Sequence, residues 1–150
     1  MHTVCVTTLF VACCCGSAIA APAPTGDKGP EGTWVVVSSE HDPALGQLPK
    51  DLVWVFADGK VTTSPKNGGG MTVTYAVKID PTKNPKEIDL TQEIGDRKVI
   101  LRGIYRVEKG RLTICLGVAA GDAKVVESER PGGFKADKNV QLLTLERSGK

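Results

Sequence analysis

The sequence predicts an all-β protein folded as an antiparallel up-and-down β-barrel of about eight strands. Apolar and polar residues alternate with a period of two beyond residue 32, which is typical of strands that bury one face. Turn-forming residues separate short segments rich in β-branched and aromatic side chains. The near-regular spacing of these segments favours a barrel of consecutive hairpins, with a β-sandwich as the alternative.

The strands can be assigned in chain order. The clearest alternation is in MTVTYAVKI, and Asp58-Gly59 predicts a tight hairpin between the second and third strands. A single helical candidate, residues 42–52, is interrupted by Gly46 and Pro49 and can form at most a turn or two. The predicted strands are residues 33–39, 52–57, 60–64, 71–79, 86–92, 97–108, 111–117 and 140–147.

The first 20 residues have the features of an export signal. They contain no Lys, Arg, Asp or Glu, and an apolar run precedes the small residues Ala18 and Ala20. Small side chains at these two positions fit a signal peptidase, so we expect cleavage after Ala20. In the alternative, Cys13 of FVAC is acylated, as in a bacterial lipoprotein, and anchors the protein to lipid. Both routes predict an exported protein, periplasmic or secreted.

The remainder is expected to form one domain. Residues 21–31 are rich in proline and glycine and predict a flexible tether, and residues 32–150 form the barrel. The 19 basic and 17 acidic residues all lie beyond residue 20, with a net charge of +2. There is no basic stripe of the kind that binds nucleic acid. The apolar run of the leader is too short for a permanent membrane span, so none is expected in the mature chain.

Cys115 is the one cysteine of five that lies beyond the leader. It stands in the middle of a predicted strand among apolar residues. Apolar burial raises the pKa of a thiol, and a buried free cysteine packs as a small hydrophobe. We therefore expect a structural role in the core, with a reactive thiol as the alternative.

Trp34 and Arg147 are expected to form a structural pair. Trp34 begins the first strand and Arg147 ends the last. These two strands pair when a barrel closes, and a guanidinium group can then stack on the indole by cation–π attraction. This contact would stabilise one end of the barrel and is not a catalytic site.

No catalytic or metal site is predicted. The chain lacks a G-x-S-x-G nucleophile motif, and His41 is the one histidine beyond the leader. Glu87 and Asp89 share a strand face that is expected to face water. Residues 127–138 are expected to form a mobile loop that carries Phe134 to the barrel edge. We predict a non-enzymatic protein with no metal and no cofactor.

Several segments together resemble one protein family. GTWVVVSSE, LVWVFADGKVT, PTKNPKEIDL, GIYRVEKGRLTICLG, ERPGGF and LLTLER are similar, in this order, to a much-duplicated family of secreted planctomycete domains without an established activity. That family is regarded as lipocalin-like, and GTW also resembles the G-x-W that opens lipocalins. The resemblance implies a barrel and implies no catalytic residues.

The function expected from these observations is binding. An eight-stranded barrel can hold one small ligand or fill its interior with side chains. We expect a small apolar ligand of the cell envelope, held in the barrel interior or mouth by residues that the sequence leaves unassigned. The alternative is a structural or protein-interaction module of the envelope that uses loops 66–70 and 127–138.

Overall fold

The computed structural model describes residues 29–43 and 51–149. The predicted leader, most of the predicted tether and the centre of the helical candidate lie outside the described residues, which contain no α-helix. The strands are β1 Gly32–Glu40, β2 Leu52–Ala57, β3 Lys60–Pro65, β4 Val73–Asp80, β5 Lys86–Ile94, β6 Arg97–Glu108, β7 Arg111–Gly117, β8 Val125–Glu127 and β9 Val140–Arg147.

Eight of these strands form a closed antiparallel barrel. Strands β1 to β7 pair with their neighbours in chain order, and β9 lies between β7 and β1. The closing pair runs from Trp34 opposite Arg147 to Glu40 opposite Leu142. A bulge in β1 after Val36 shifts the register of this pair. The predicted all-β up-and-down barrel is confirmed.

Two differences from the predicted strands have a clear physical reason. β4 begins at Val73, because its last partner on β3 is Thr63, and Met71 is 82% exposed in the preceding loop. The short strand β8 was not predicted, since three residues are too few to show a period. It pairs in parallel with the first half of β6, beyond the point where β7 ends.

The barrel interior is filled by side chains from alternate positions of the strands. Gly103 of β6 belongs to this inner face, where a Cβ atom would lie 2.6 Å from the Cys115 carbonyl oxygen. Glycine is therefore required for the close approach of β6 and β7. The buried cluster comprises Trp34, Val36, Trp54, Phe56, Val61, Ile88, Leu90, Tyr105, Leu112, Ile114, Leu116, Leu143 and Leu145.

The two ends of the barrel differ. At one end, here called the Trp34 end, β1 begins and β9 ends, and the β2–β3, β4–β5 and β6–β7 hairpins turn. Asp58 and Gly59 form the first of these turns, both with positive φ, as their sequence predicts. The opposite end, here called the far end, carries the β5–β6 hairpin and the longer connections that follow β1, β3 and β7.

Candidate functional site

At the Trp34 end, Arg147 and Pro30 cover the side chain of Trp34. The Arg147 guanidinium carbon lies 4.8 Å from the centroid of the Trp34 ring, so the structure brings the predicted pair together. Trp34 Nε1 donates a hydrogen bond of 2.6 Å to the carbonyl oxygen of Pro30, which is fully buried. Pro30, which lies in the predicted tether, is thus in direct contact with the barrel. These two contacts close the barrel over Trp34 at this end.

A small recess remains at the Trp34 end. It has a volume of about 120 Å³ and is lined in part by Pro30, Phe56, Val77 and Ile79. Pockets for drug-sized ligands are about 300–1,000 Å³. The recess is therefore too small to be the main binding site of such a ligand.

Cys115 is fully buried on the outer side of the barrel wall. Its strand neighbours there are Ile104 of β6 and Leu142 of β9. The thiol donates a hydrogen bond of 3.7 Å to the backbone carbonyl oxygen of Lys135. Burial raises the pKa of the Cys115 thiol, and this hydrogen bond offsets part of the rise. The side chain packs between the wall and residues 125–139, which we call the outer segment.

Arg130 fastens the outer segment to the wall. Its guanidinium donates hydrogen bonds to the Gly103 carbonyl oxygen at 2.5 Å and to the Asp89 carboxylate at 2.7 Å. The Glu87 carboxylate lies 3.4 Å from the same guanidinium. Glu87 and Asp89 point away from the core, as predicted, but they are covered by Arg130 and are only 31% and 25% exposed. Because Arg130 holds both carboxylates, they do not form a free acid–base pair.

Phe134, which was expected at the barrel edge, lies against Arg106 near the end of β6. The Arg106 guanidinium carbon is 4.6 Å from the centroid of its ring. With the β8–β6 pairing and the bonds of Arg130 and Cys115, this contact is one of several that attach the outer segment to the wall. Beyond β8 the segment is a loop, as predicted, and these contacts hold it against the wall.

Two depressions lie on the outer surface. The larger is an open groove of about 1070 Å³ across β6, β7 and β9, with Arg106, Arg111, Thr113 and Glu146 among its lining residues. The smaller, of about 230 Å³, lies beside Arg130. Throughout residues 29–43 and 51–149, His, Cys, Asp and Glu form no group of three that could hold a metal ion.

The far end carries inward apolar side chains that keep part of their surface exposed. Leu52, Tyr75 and Leu101 face inward there, pack against the core cluster and remain only partly buried. Trp54 lies deeper on the same face of β2 as Leu52 and is buried. Burial raises the pKa of the Tyr75 phenol, which keeps it neutral. We call the three residues Leu52, Tyr75 and Leu101 the far-end cup; Trp54, which lies directly opposite Trp34 in the β1–β2 pair, is buried beneath it.

Two buried polar atoms have no hydrogen-bond partner in the part of the chain that the structure describes. They are Trp54 Nε1 and Tyr105 Oη. Burial, reinforced by the charge of Asp80, raises the pKa of Tyr105. Buried polar groups in proteins almost always have a partner, so both atoms need an explanation.

Sequence reasoning missed Trp54 and Arg130. A signal for Trp54 was present, because LVWVFA places a second indole at an inward position of a predicted strand. No local signal marks Arg130, whose carboxylate partner Asp89 is 41 residues away in the chain.

No helix in the described parts of the chain has the length and apolarity needed to cross a bilayer. Comparison with known proteins found no matching family model, no matching curated protein and no matching solved structure.

Proposed function

We propose that this protein is an exported, non-enzymatic, lipocalin-like barrel that binds a small, largely apolar ligand in the far-end cup. The observation that carries the proposal is the set of inward apolar side chains at the far end, Leu52, Tyr75 and Leu101, which remain partly exposed. Val77, Ile79 and Val107 are partly buried in the same way toward the Trp34 end, but the recess there is only about 120 Å³, and Pro30 and Arg147 cover Trp34. Inward apolar groups of this kind favour an apolar ligand, because its binding removes their remaining surface from water.

Export is part of the same proposal. The charge-free leader and the small residues Ala18 and Ala20 support delivery to the periplasm or the medium. Lipid attachment through Cys13 is the alternative route. Mass spectrometry of the native protein distinguishes the two, since it gives the mass of the mature N-terminus and also detects a ligand that co-purifies.

Binding can be tested with the apolar fluorescent probe N-phenyl-1-naphthylamine. We expect its emission to rise with the wild-type protein and to fall when an envelope lipid extract competes. Leu101→Arg places a charge in the cup and should abolish this rise. Val55→Arg is the matched control, because Val55 lies on the same barrel but is 38% exposed.

Two outcomes would contradict the proposal. In one, the wild-type protein fails to enhance probe emission; in the other, both arginine variants bind the probe as well as the wild type does. Circular dichroism spectra of the two variants confirm that each keeps its β-structure before binding is compared.

A second candidate function, a structural or protein-interaction module, is favoured by the outer groove of about 1070 Å³. Its charged lining, which includes Arg106 and Glu146, suits the polar rim of a protein interface. Thr113→Arg fills the groove without touching the cup. Loss of a defined envelope partner by this variant, with probe binding unchanged, would favour the interaction module.

A further inference from the structure

The outer surface of the barrel is strongly charged on one side. Outward residues that are paired across neighbouring strands lie in rows along the wall. One row, on β6, β7 and β9, consists of Glu108, Arg111 and Glu146. Another row, on β4, β5 and β6, consists of Lys78, Asp89 and Arg102. Every member of these two rows is an ionisable residue of the acidic or basic class.

The outward surface of β1 to β4 is different, because two of its rows contain no charged residue. One row consists of Thr33, Val55, Thr62 and Thr74. The other consists of Val35, Val53 and Ser64. We call these seven residues the neutral face. Charge returns at its borders, with Lys60 in the next row and Glu146 opposite Val35 on β9.

The neutral face combines exposed apolar surface with hydroxyl groups that bond to each other. Val55 is 38% exposed, and Val37, in the bulge of β1, is 52% exposed. The Thr62 and Thr74 hydroxyl oxygens lie 3.3 Å apart and share a hydrogen bond. A partner that covers these two hydroxyls therefore leaves fewer polar atoms unpaired than it would at isolated threonines. Covering the face removes apolar surface from water at a small polar cost.

The lack of charge restricts which partner can cover the neutral face. A partner that placed charged groups on it would lose their hydration without gaining a counter-charge. In a two-fold symmetric contact each face meets a copy of itself, so a face of one charge sign would be repelled. The neutral face meets no such repulsion from its own copy. The same face of a second molecule is therefore a partner surface that satisfies the charge requirement.

The size of the neutral face determines how strong such a contact can be. Four strands about 4.8 Å apart and about five residues long give it an area of roughly 300 Å². Stable complexes bury about 800 Å² per partner, and smaller interfaces belong to weak or transient complexes. We propose that two copies of this protein form a weak dimer through contact between their neutral faces. The contact lies outside the barrel wall, so the proposal does not depend on a ligand in the far-end cup.

Sedimentation equilibrium of the purified protein tests the proposal over a range of about 10 µM to about 1 mM, where weak complexes dissociate. We expect the weight-average mass of the wild type to rise from that of a monomer toward that of a dimer. Thr62→Glu places a carboxylate within both neutral faces and should keep the protein monomeric. Thr113→Glu is the matched control, because Thr113 is also a half-buried outward threonine but lies on β7, outside the neutral face. This control should dimerise as the wild type does.

Salt distinguishes contact through the neutral face from contact through the charged rows. The dissociation constant of a dimer formed by uncharged faces should stay within about twofold between about 0.05 M and 0.5 M NaCl, because salt screens charges and this contact contains none. A dimer held by the charged rows should instead dissociate as salt is added. Marked weakening in salt would therefore overturn the proposal even if a dimer forms.

An NMR dilution series of the ¹⁵N-labelled wild type keeps the test valid if circular dichroism shows that Thr62→Glu does not fold. The amide signals of Val53, Val55 and Thr62 should shift with protein concentration, whereas those of Arg106 and Arg111 should not. Shifts confined to the charged rows would overturn the proposal. So would a wild type that stays monomeric over the whole concentration range, or a Thr62→Glu variant that dimerises as strongly as Thr113→Glu. Each of these results would leave the neutral face to a different partner.

Discussion

The two tryptophans allow the energetic value of one buried hydrogen bond to be measured within the same barrel. Trp34 is 0% exposed and Trp54 is 6% exposed, so exchange of either for phenylalanine removes a similar apolar surface. This loss is about 40 Å², or about 1 kcal/mol of unfolding free energy. The exchanges differ in what happens to the N–H group.

Trp34→Phe deletes the donor to Pro30 and leaves a buried carbonyl oxygen without its partner. The lost bond and the unpaired acceptor together cost about 2 kcal/mol. Trp54→Phe deletes a donor that has no partner in the described structure, so this second penalty is absent and the cost of burying an unpaired N–H is removed as well. We therefore expect Trp34→Phe to lower the free energy of unfolding by about 3 kcal/mol and Trp54→Phe to lower it by no more than about 1 kcal/mol.

Urea titration of ligand-free protein, followed by circular dichroism, measures both values. Because the chain contains two tryptophans, each variant also keeps one indole whose emission reports unfolding. The difference of about 2 kcal/mol corresponds to roughly 8 °C in Tm. Equal losses in the two variants, or a larger loss in Trp54→Phe, would refute this account of the core.

Two further predictions concern the outer wall. At neutral pH, the Cys115 thiol should react with a thiol reagent only as fast as the protein unfolds, because the side chain is fully buried. Its folded pKa is raised, so its stabilising contribution is complete below the unfolded thiol pKa and disappears as pH rises through the folded pKa. Cys115→Ala should lack this alkaline loss, and rapid stoichiometric labelling of the native protein would contradict the burial. For the Arg130–Asp89 pair, whose side chains are each 25% exposed, a double-mutant cycle with Arg130→Met and Asp89→Asn should give a coupling energy of about 1–2 kcal/mol. A coupling energy near zero in urea titrations would show that the ion pair with Asp89 contributes nothing to holding the outer segment.

Local pattern was enough to predict most of the barrel. The two-residue period gave the bounds of β2, β6, β7 and β9 as the structure has them, because alternation is a property of each strand by itself. The positive φ at Gly59 likewise follows from the local turn sequence. Consecutive hairpins leave β9 and β1 as the strands that must close the barrel, and this closure places Arg147 on Trp34.

The position of the outer segment and the residues of the far-end cup could not be predicted from local pattern. Residues 118–139 have no sustained period, and their position depends on contacts between residues distant in the chain, such as Arg130 with Asp89 and Cys115 with Lys135. The two indoles have the same donor atom in paired strands, yet only the three-dimensional packing decides that Trp34 has an acceptor and that Trp54 has none among the described residues. Periodicity determines which face of a strand is buried, whereas the partner of a buried polar atom is determined by where the rest of the chain is placed.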